Sequence, residues 1–158
     1  MKKLILLAGL YCLQPALHAA PLSTSSKTNI APTSASERAK AHFRENYMDV
    51  PNAAWYNTPD NSIYCTFQLG TTVERVFYDQ QGYWQFTLIS YPPTRLKENL
   101  KELVSQHFDG YHISYINEIR SNYDEPVYMI NIENADNIKV IKVVGGEIEV
   151  KQDLKKII

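Results

Sequence analysis

Apolar and polar residues alternate with a period of two along most of the chain. Ile63, Cys65 and Phe67 are separated by more polar residues, which predicts a strand buried on one face. The same signal predicts further strands at residues 54–57, 72–78, 83–91, 112–119, 127–132, 138–144 and 147–150. The pattern therefore predicts eight strands in two groups of four.

Two stretches have the period of a helix instead. Ala39, Phe43 and Tyr47 fall four residues apart, so they share one face of a short predicted helix. A longer pattern from Leu96 to His107 places apolar residues at helical spacing with charged residues between them. Each predicted helix precedes one group of four strands.

The order of a helix followed by four strands occurs twice, which indicates an internal duplication. The predicted hairpin at Gly82 in the first half corresponds to the hairpin at Gly146 in the second. We predict one domain at residues 36–158, with its halves at about 36–91 and 92–154.

The N-terminus has the composition of a secretory signal peptide at residues 1–19. Lys2 and Lys3 precede an apolar run, and small residues follow it near Ala19. That run, residues 4–13, is about ten residues long where a bilayer needs roughly 20, so we expect no membrane span. We predict cleavage after Ala19 and a location in the periplasm or outside the cell.

Residues 20–35 are rich in Ser, Thr, Ala and Pro, which predicts a flexible tether rather than a part of the fold. The formal net charge of the 158 residues is −1, and loss of two lysines with the signal peptide makes it about −3. Such a chain has no basic field to attract nucleic acid. Loss of Cys12 would leave Cys65 as the one thiol, which excludes a disulfide within the chain.

Motifs of the common enzyme and metal-site classes are absent from the sequence. His42, His107 and His112 lack zinc-site spacing, and there is no calcium loop, nucleophile elbow or phosphate-binding glycine loop. Cys65 alternates in phase with Ile63, so we interpret it as a core residue rather than a nucleophile. We predict no enzyme activity, no cofactor and no metal.

Tyrosine is frequent, with 11 in the chain. In the fourth predicted strand, Trp84, Phe86 and Leu88 share a phase and are expected to face the helices. Residues of the opposite phase and of a neighbouring strand are the candidates for partner binding: Tyr64, Thr66, Tyr83, Gln85 and Tyr91. Rigid aromatic rings among polar residues are typical of protein recognition surfaces, although tyrosine also favours strands for structural reasons.

Three stretches of the chain resemble a known family. These are PPTRLKENLKELVSQHFDGYHI, the hairpin VFYDQQGYWQFT, and VYMINIE followed by a Gly-Gly hairpin. They are similar to exported PepSY-like domains grouped with β-lactamase inhibitory proteins (BLIP), over roughly residues 36–154. The resemblance implies an α+β fold in which a tandem helix-plus-four-strand repeat forms one antiparallel sheet. It also implies that the helices pack on one face and leave the other open to a partner.

We therefore expect an exported, non-enzymatic, inhibitor-like binding module that holds a protein partner on the open face of its sheet. The alternative is a small-ligand carrier with a pocket between helix and sheet. An enzyme with a buried carboxylate is disfavoured, because no acidic residue other than Glu74 falls in phase with the predicted apolar strand faces.

Overall fold

The structure is a computed structural model that describes residues 36–48, 50, 52–122 and 125–157. The predicted signal peptide and tether lie outside these residues. Within them the helices are α1 (Ser36–Asn46) and α2 (Glu98–His107), and a 3-10 helix (Pro93–Arg95) precedes α2. The strands are β1 (Ala54–Asn57), β2 (Ile63–Leu69), β3 (Thr72–Tyr78), β4 (Trp84–Tyr91), β5 (His112–Ser121), β6 (Val127–Glu133), β7 (Asn137–Val144) and β8 (Glu147–Lys155).

All eight of these strands form one antiparallel sheet, and their order in the sheet is their order in the chain. Most neighbours are joined by short loops, which is the connection that antiparallel strands allow. β4 and β5 are joined by the 3-10 helix and α2. One antiparallel sheet with two helices is thus confirmed for the described residues. The internal duplication stays a prediction.

Both helices pack on the same face of the sheet, which we call the helix face. α1 joins a buried cluster with β2 and β3, and α2 joins a second cluster with strands from β4 to β7. Directly opposite residues on paired strands lie on the same face. One such row links the two clusters: Phe67, Glu74, Ile89, Glu118, Tyr128 and Val143. The other face carries neither helix, and we call it the open face.

The first cluster is rich in aromatic residues. Phe43 of α1 contacts Phe67 and Trp55 edge to face, with ring centroids 5.5 Å and 5.4 Å away. Cys65 is fully buried in this cluster, as the alternation predicts, and burial raises the pKa of its thiol to about 12. The thiol is therefore protonated at neutral pH, which suits a packing role rather than a nucleophile.

The second cluster is aliphatic over most of its volume. Leu100 and Val104 of α2 pack against the sheet as the helical spacing predicts. The strands supply fully or nearly fully buried β-branched residues: Ile116, Ile130, Ile132, Ile141 and Val143. Such residues fit the half-buried surface of a sheet, which favours strands at these positions.

β4 contains a β-bulge near its start. Tyr78 lies opposite Trp84, whereas the preceding Phe77 lies opposite Phe86, so Gln85 is an extra residue without a partner. Trp84 packs against the first cluster, in agreement with the prediction for that residue.

The bulge reverses the predicted orientation of the rest of β4. A shift of one residue moves every following side chain to the other face of a strand. Leu88 lies opposite Arg75 on the open face, so its predicted position beneath the helices is wrong, as is that of Phe86. Thr87 and Ile89 are buried on the helix face instead.

Candidate functional site

The open face carries a row of aromatic side chains across β1 to β4, which we call the aromatic row. Tyr56 lies opposite Tyr64, Tyr64 opposite Phe77, and Phe77 opposite Phe86. The centroids of successive rings are 5.1, 5.4 and 4.4 Å apart, and their planes are 18°, 25° and 19° from parallel. Four aromatic residues thus form one continuous stack on a face that neither helix covers.

The stacking decides what the aromatic row presents to a partner. Each ring lies against its neighbour through its face, and the two rings that carry hydroxyl groups, Tyr56 and Tyr64, lie at the β1–β2 end of the row. The four side chains are half-buried, because they already cover one another. The row is therefore a rigid apolar ridge with polar atoms at one end.

Two of the sequence-predicted residues belong to this surface. Tyr64 is part of the aromatic row, and Thr66 lies beside it opposite Arg75. The prediction missed Tyr56, Phe77 and Phe86. Tyr56 and Phe77 lie opposite Tyr64 on the neighbouring strands, so finding them required the register of β1 to β3, which the alternation within one strand does not give.

Tyr83 and Gln85 lie in and next to the β3–β4 hairpin loop, outside the aromatic row. Tyr83 is 55% exposed, and the guanidinium of Arg38 in α1 lies 4.2 Å from its ring centroid. Gln85 donates a hydrogen bond of 3.2 Å from Nε2 to Oδ2 of Asp79. Both side chains are exposed, as predicted, but they lie at the hairpin and are not part of the aromatic row.

The prediction that Tyr91 faces outward is wrong. Its side chain is 6% exposed and lies on the helix face, where its hydroxyl donates a 2.8 Å hydrogen bond to Glu118. Burial raises the pKa of Tyr91, and the hydrogen bond to Glu118 raises it further. The bulge at Gln85 is the physical reason, since it reverses the phase of every residue after it.

The open face of the second half has a different composition. One row there contains Asn117, Met129, Lys142 and Glu149. Tyr115 is 41% exposed on the same face but has no aromatic neighbour in its row, because it lies opposite Asn131. The aromatic stack is therefore a property of the first half.

The helix face has a polar region between its two clusters. Glu118 is 5% exposed there, and its carboxylate also accepts a 2.7 Å hydrogen bond from Nε of Arg120. The expectation that Glu74 alone would share the apolar phase is thus wrong, because Glu118 shares it too. Burial raises the pKa of Glu74, and Glu118 adds to this, while Arg120 and Arg95 oppose it.

Burial would lower the pKa of Arg120, but the hydrogen bond and charge of Glu118 outweigh it and raise that pKa overall. The Arg120 guanidinium therefore stays charged. Among the residues that the structure describes, no three His, Cys, Asp or Glu side chains come together as a metal-binding group.

Comparison with solved structures identifies proteins of the same fold. The chain is similar to a BLIP-like protein from Bacteroides fragilis, with 9% identity, a TM-score of 0.62, and coverage of 80% of this chain and 87% of that one. It is also similar to a DUF2874 family protein from Bacteroides uniformis, with 12% identity, a TM-score of 0.62, and coverage of 80% and 90%. A candidate periplasmic protein from Bacteroides eggerthii has 12% identity, a TM-score of 0.61, and coverage of 80% and 89%.

No family model and no curated protein matches the chain. At these identities the similarity shows the fold alone, which is BLIP-like. In the part of the chain that the structure describes, neither helix has the length and apolar character needed to span a membrane.

Proposed function

We propose that this protein is an exported, non-enzymatic binding module that holds a protein partner on the open face of its sheet. The observation that carries the proposal is the aromatic row of Tyr56, Tyr64, Phe77 and Phe86. A PepSY-like domain built from two duplicated halves, acting in the periplasm or outside the cell, is part of the same proposal. Nucleic acid is not the expected partner.

Aromatic side chains contribute most to protein binding when they are held in place before the partner arrives. Ordering a flexible side chain at an interface costs roughly 0.5–1.5 kcal/mol. The central rings of Tyr64 and Phe77 each already stack on a ring to either side, so little of that cost remains for them. Buried aromatic residues are also the ones most often found to dominate binding energies.

The residues beside the aromatic row indicate the chemistry of the partner. Thr66 and Arg75 lie opposite each other in the adjacent row, and Arg75 is followed there by Leu88. This arrangement places an apolar ridge beside one positive charge. It suits a partner that offers apolar side chains to the rings and a carboxylate to Arg75, with the polar atoms at the rim.

The comparisons support this proposal without identifying a partner. One solved structure of similar fold is a BLIP-like protein, which fits an inhibitor-like role. Another is a candidate periplasmic protein, which fits export. Their identities are 9% and 12%, so the partner of this chain has to be found by experiment.

The test is capture of a partner from periplasm or culture fluid, followed by a binding titration on two matched variants. Tyr64→Ala removes a central ring of the aromatic row, and Tyr115→Ala removes an exposed ring of the same face outside the row. We expect Tyr64→Ala to weaken binding by about 1–2 kcal/mol or more, and Tyr115→Ala by less than about 0.5 kcal/mol. Thermal melts of both variants show that each is folded.

Equal weakening by both variants, or none by Tyr64→Ala, would refute the aromatic row as the binding surface. Chemical turnover of the captured partner by the wild-type protein would instead refute the non-enzymatic assignment. These two outcomes are independent of each other.

A further inference from the structure

The middle of the helix face contains a polar cavity where a continuous apolar core would be expected. It has a volume of about 230 Å³ and lies on β3, β4 and β5, with the end of the 3-10 helix and Lys97 at its edge. We call it the polar groove. Its charged side chains are Glu74, Arg95, Lys97, Glu118 and Arg120.

Glu118 forms the fixed part of the polar groove. Its side chain is 6% exposed and accepts hydrogen bonds from Tyr91 at 2.8 Å and from Nε of Arg120 at 2.7 Å. The guanidinium of Arg120 neutralises the carboxylate, and both hydrogen bonds hold it in place. The bond to Glu118 also holds Arg120, whose side chain is 59% exposed and whose terminal nitrogens have no hydrogen-bond partner among the described residues.

Glu74 is the part of the polar groove that lacks a partner. It lies in the same cross-strand row as Glu118, with Ile89 between them. No hydrogen bond to its carboxylate is present among the described residues, and Arg120 and Arg95 act on it only through space. A half-buried carboxylate without donors is unfavourable, and its raised pKa reflects that burial. A ligand that donates hydrogen bonds would relieve this cost.

Two cations lie at the edge of the polar groove. Within the described part of the chain, Arg95 donates one hydrogen bond, from Nη1 to the hydroxyl of Thr72, and most of its donors have no partner there. The ammonium group of Lys97 has no hydrogen-bond partner among the described residues, and both side chains are exposed. They can therefore receive a ligand carboxylate without displacing an existing ion pair.

We propose that the polar groove binds a small zwitterion of the α-amino acid class, on the side of the sheet opposite to the proposed protein-binding face. The ligand carboxylate meets Arg95 and Lys97, and the ligand ammonium meets Glu74. The volume of about 230 Å³ is smaller than the roughly 300–1,000 Å³ of pockets for drug-sized molecules. The polar groove therefore suits a ligand smaller than a drug molecule, such as an amino acid.

Ligands with a single charge fit the polar groove less well. An anion alone would leave Glu74 without a donor and add a repulsive charge next to it. A cation alone would meet Glu74 but would be repelled by Arg95, Lys97 and Arg120. Only a molecule with both groups pairs the free carboxylate and the free cations at once.

The test compares three probes of similar size by NMR on the protein purified as exported. L-alanine has both charged groups, propionate lacks the ammonium and ethylamine lacks the carboxylate. We expect L-alanine to shift the backbone amide signals of Glu74, Lys97 and Glu118 in a saturable way. Propionate and ethylamine should bind about tenfold more weakly or worse, since each loses one charged contact.

Variants then assign the contacts. Glu74→Gln and Lys97→Gln should each weaken L-alanine binding by about tenfold, and Glu45→Gln, an exposed residue of α1, should not change it. Lys97 is exposed, so its variant gives a result even if the Glu74 variant does not fold.

Three outcomes would overturn the proposal. They are the absence of saturable shifts with L-alanine, equal binding of propionate or ethylamine, and unchanged binding by Lys97→Gln. None of them affects the proposed protein-binding face, because Tyr64 and the polar groove lie on opposite faces of the sheet.

Discussion

One buried cluster lies beneath each helix, and the two clusters are built from different side chains. The first contains Phe43, Phe67 and Tyr78, with Trp55 and Trp84 packed against it. The second is dominated by isoleucine, valine and leucine from α2 and the strands β5 to β7. The core beneath α1 is therefore filled mainly by aromatic rings, and the core beneath α2 mainly by aliphatic chains.

The difference extends through the sheet to its other face. Behind the aromatic cluster, the open face carries the aromatic row of Tyr56, Tyr64, Phe77 and Phe86. Behind the aliphatic cluster it carries polar and charged residues such as Lys142 and Glu149. Aromatic rings thus lie on both faces of the sheet in the first half. The second half completes the sheet and contributes most of the β-branched core.

The largest expected effect is in the aromatic cluster. Phe67 is 4% exposed and contacts the rings of Phe43 and Tyr47 edge to face at 5.5 Å and 5.3 Å. Phe67→Ala should lower the free energy of unfolding by about 3–5 kcal/mol, because it leaves a cavity that rigid rings cannot fill. Denaturant titration measures this loss.

The control for this prediction lies two residues further along the same strand. Leu69 is 43% exposed, so Leu69→Ala should change stability by less than about 0.5 kcal/mol. Similar losses from the two variants would mean that the first cluster does not carry the packing described above.

A smaller effect is expected at Thr87, where the bulge reversed the phase of β4. Its hydroxyl accepts a 3.1 Å hydrogen bond from Nε1 of Trp84 and forms a 3.0 Å hydrogen bond with the hydroxyl of Tyr47. Thr87→Ala leaves both groups without this partner and should cost about 1–3 kcal/mol by thermal or denaturant unfolding. Thr66→Ala, on the open face, should cost less than about 0.5 kcal/mol. A larger cost for Thr66→Ala than for Thr87→Ala would contradict the buried position of Thr87 and support the outward orientation that simple alternation predicts for it.

The bulge also marks the limit of what the sequence could predict. The helices and strands follow from alternation and helical spacing, because those patterns record which side of each element is buried. The orientation of Thr87 and Tyr91 does not, because the single extra residue at Gln85 leaves apolar side chains in both phases of β4. A pattern of period two cannot show where its own phase changes.

The candidate site was predicted only in part for a related reason. Tyr64 was found from its strand alone, but the aromatic row also depends on which residues lie opposite it. That register is set by the lengths and shapes of the turns, which the alternation does not encode. Glu118 was missed because a buried carboxylate breaks the apolar pattern that would have revealed its face.

The aliphatic cluster should respond to a minimal truncation. Ile130 is fully buried at the centre of β6, so Ile130→Val removes one methyl group from a tightly packed position. A loss of about 0.5–1.5 kcal/mol in the free energy of unfolding is expected. Ile138→Val, at a half-buried position on β7, is the control and should cost less. Equal costs would show that the second cluster is more loosely packed than its burial indicates.

The smallest effect should appear at the boundary between the two clusters, where Glu74 lies. Its pKa is raised in the folded protein, chiefly by burial, against the opposing charges of Arg120 and Arg95. The folded state therefore keeps this proton at a pH where the unfolded chain has lost it. Stability is lost as the pH rises through the folded pKa, and nothing is lost below the unfolded value.

Glu74→Gln removes that ionisation and keeps the shape of the side chain. At neutral pH the variant should melt at a higher temperature than the wild-type protein, because no charge has to be buried. The gain should shrink as the pH is lowered through the folded pKa and vanish below the unfolded one. Glu45→Gln, at an exposed position of α1, should show no such pH-dependent gain. A Glu74→Gln variant that is less stable at neutral pH would mean that attraction to the arginines outweighs burial. In that case ion pairs between Glu74 and the arginines would stabilise the region between the two clusters.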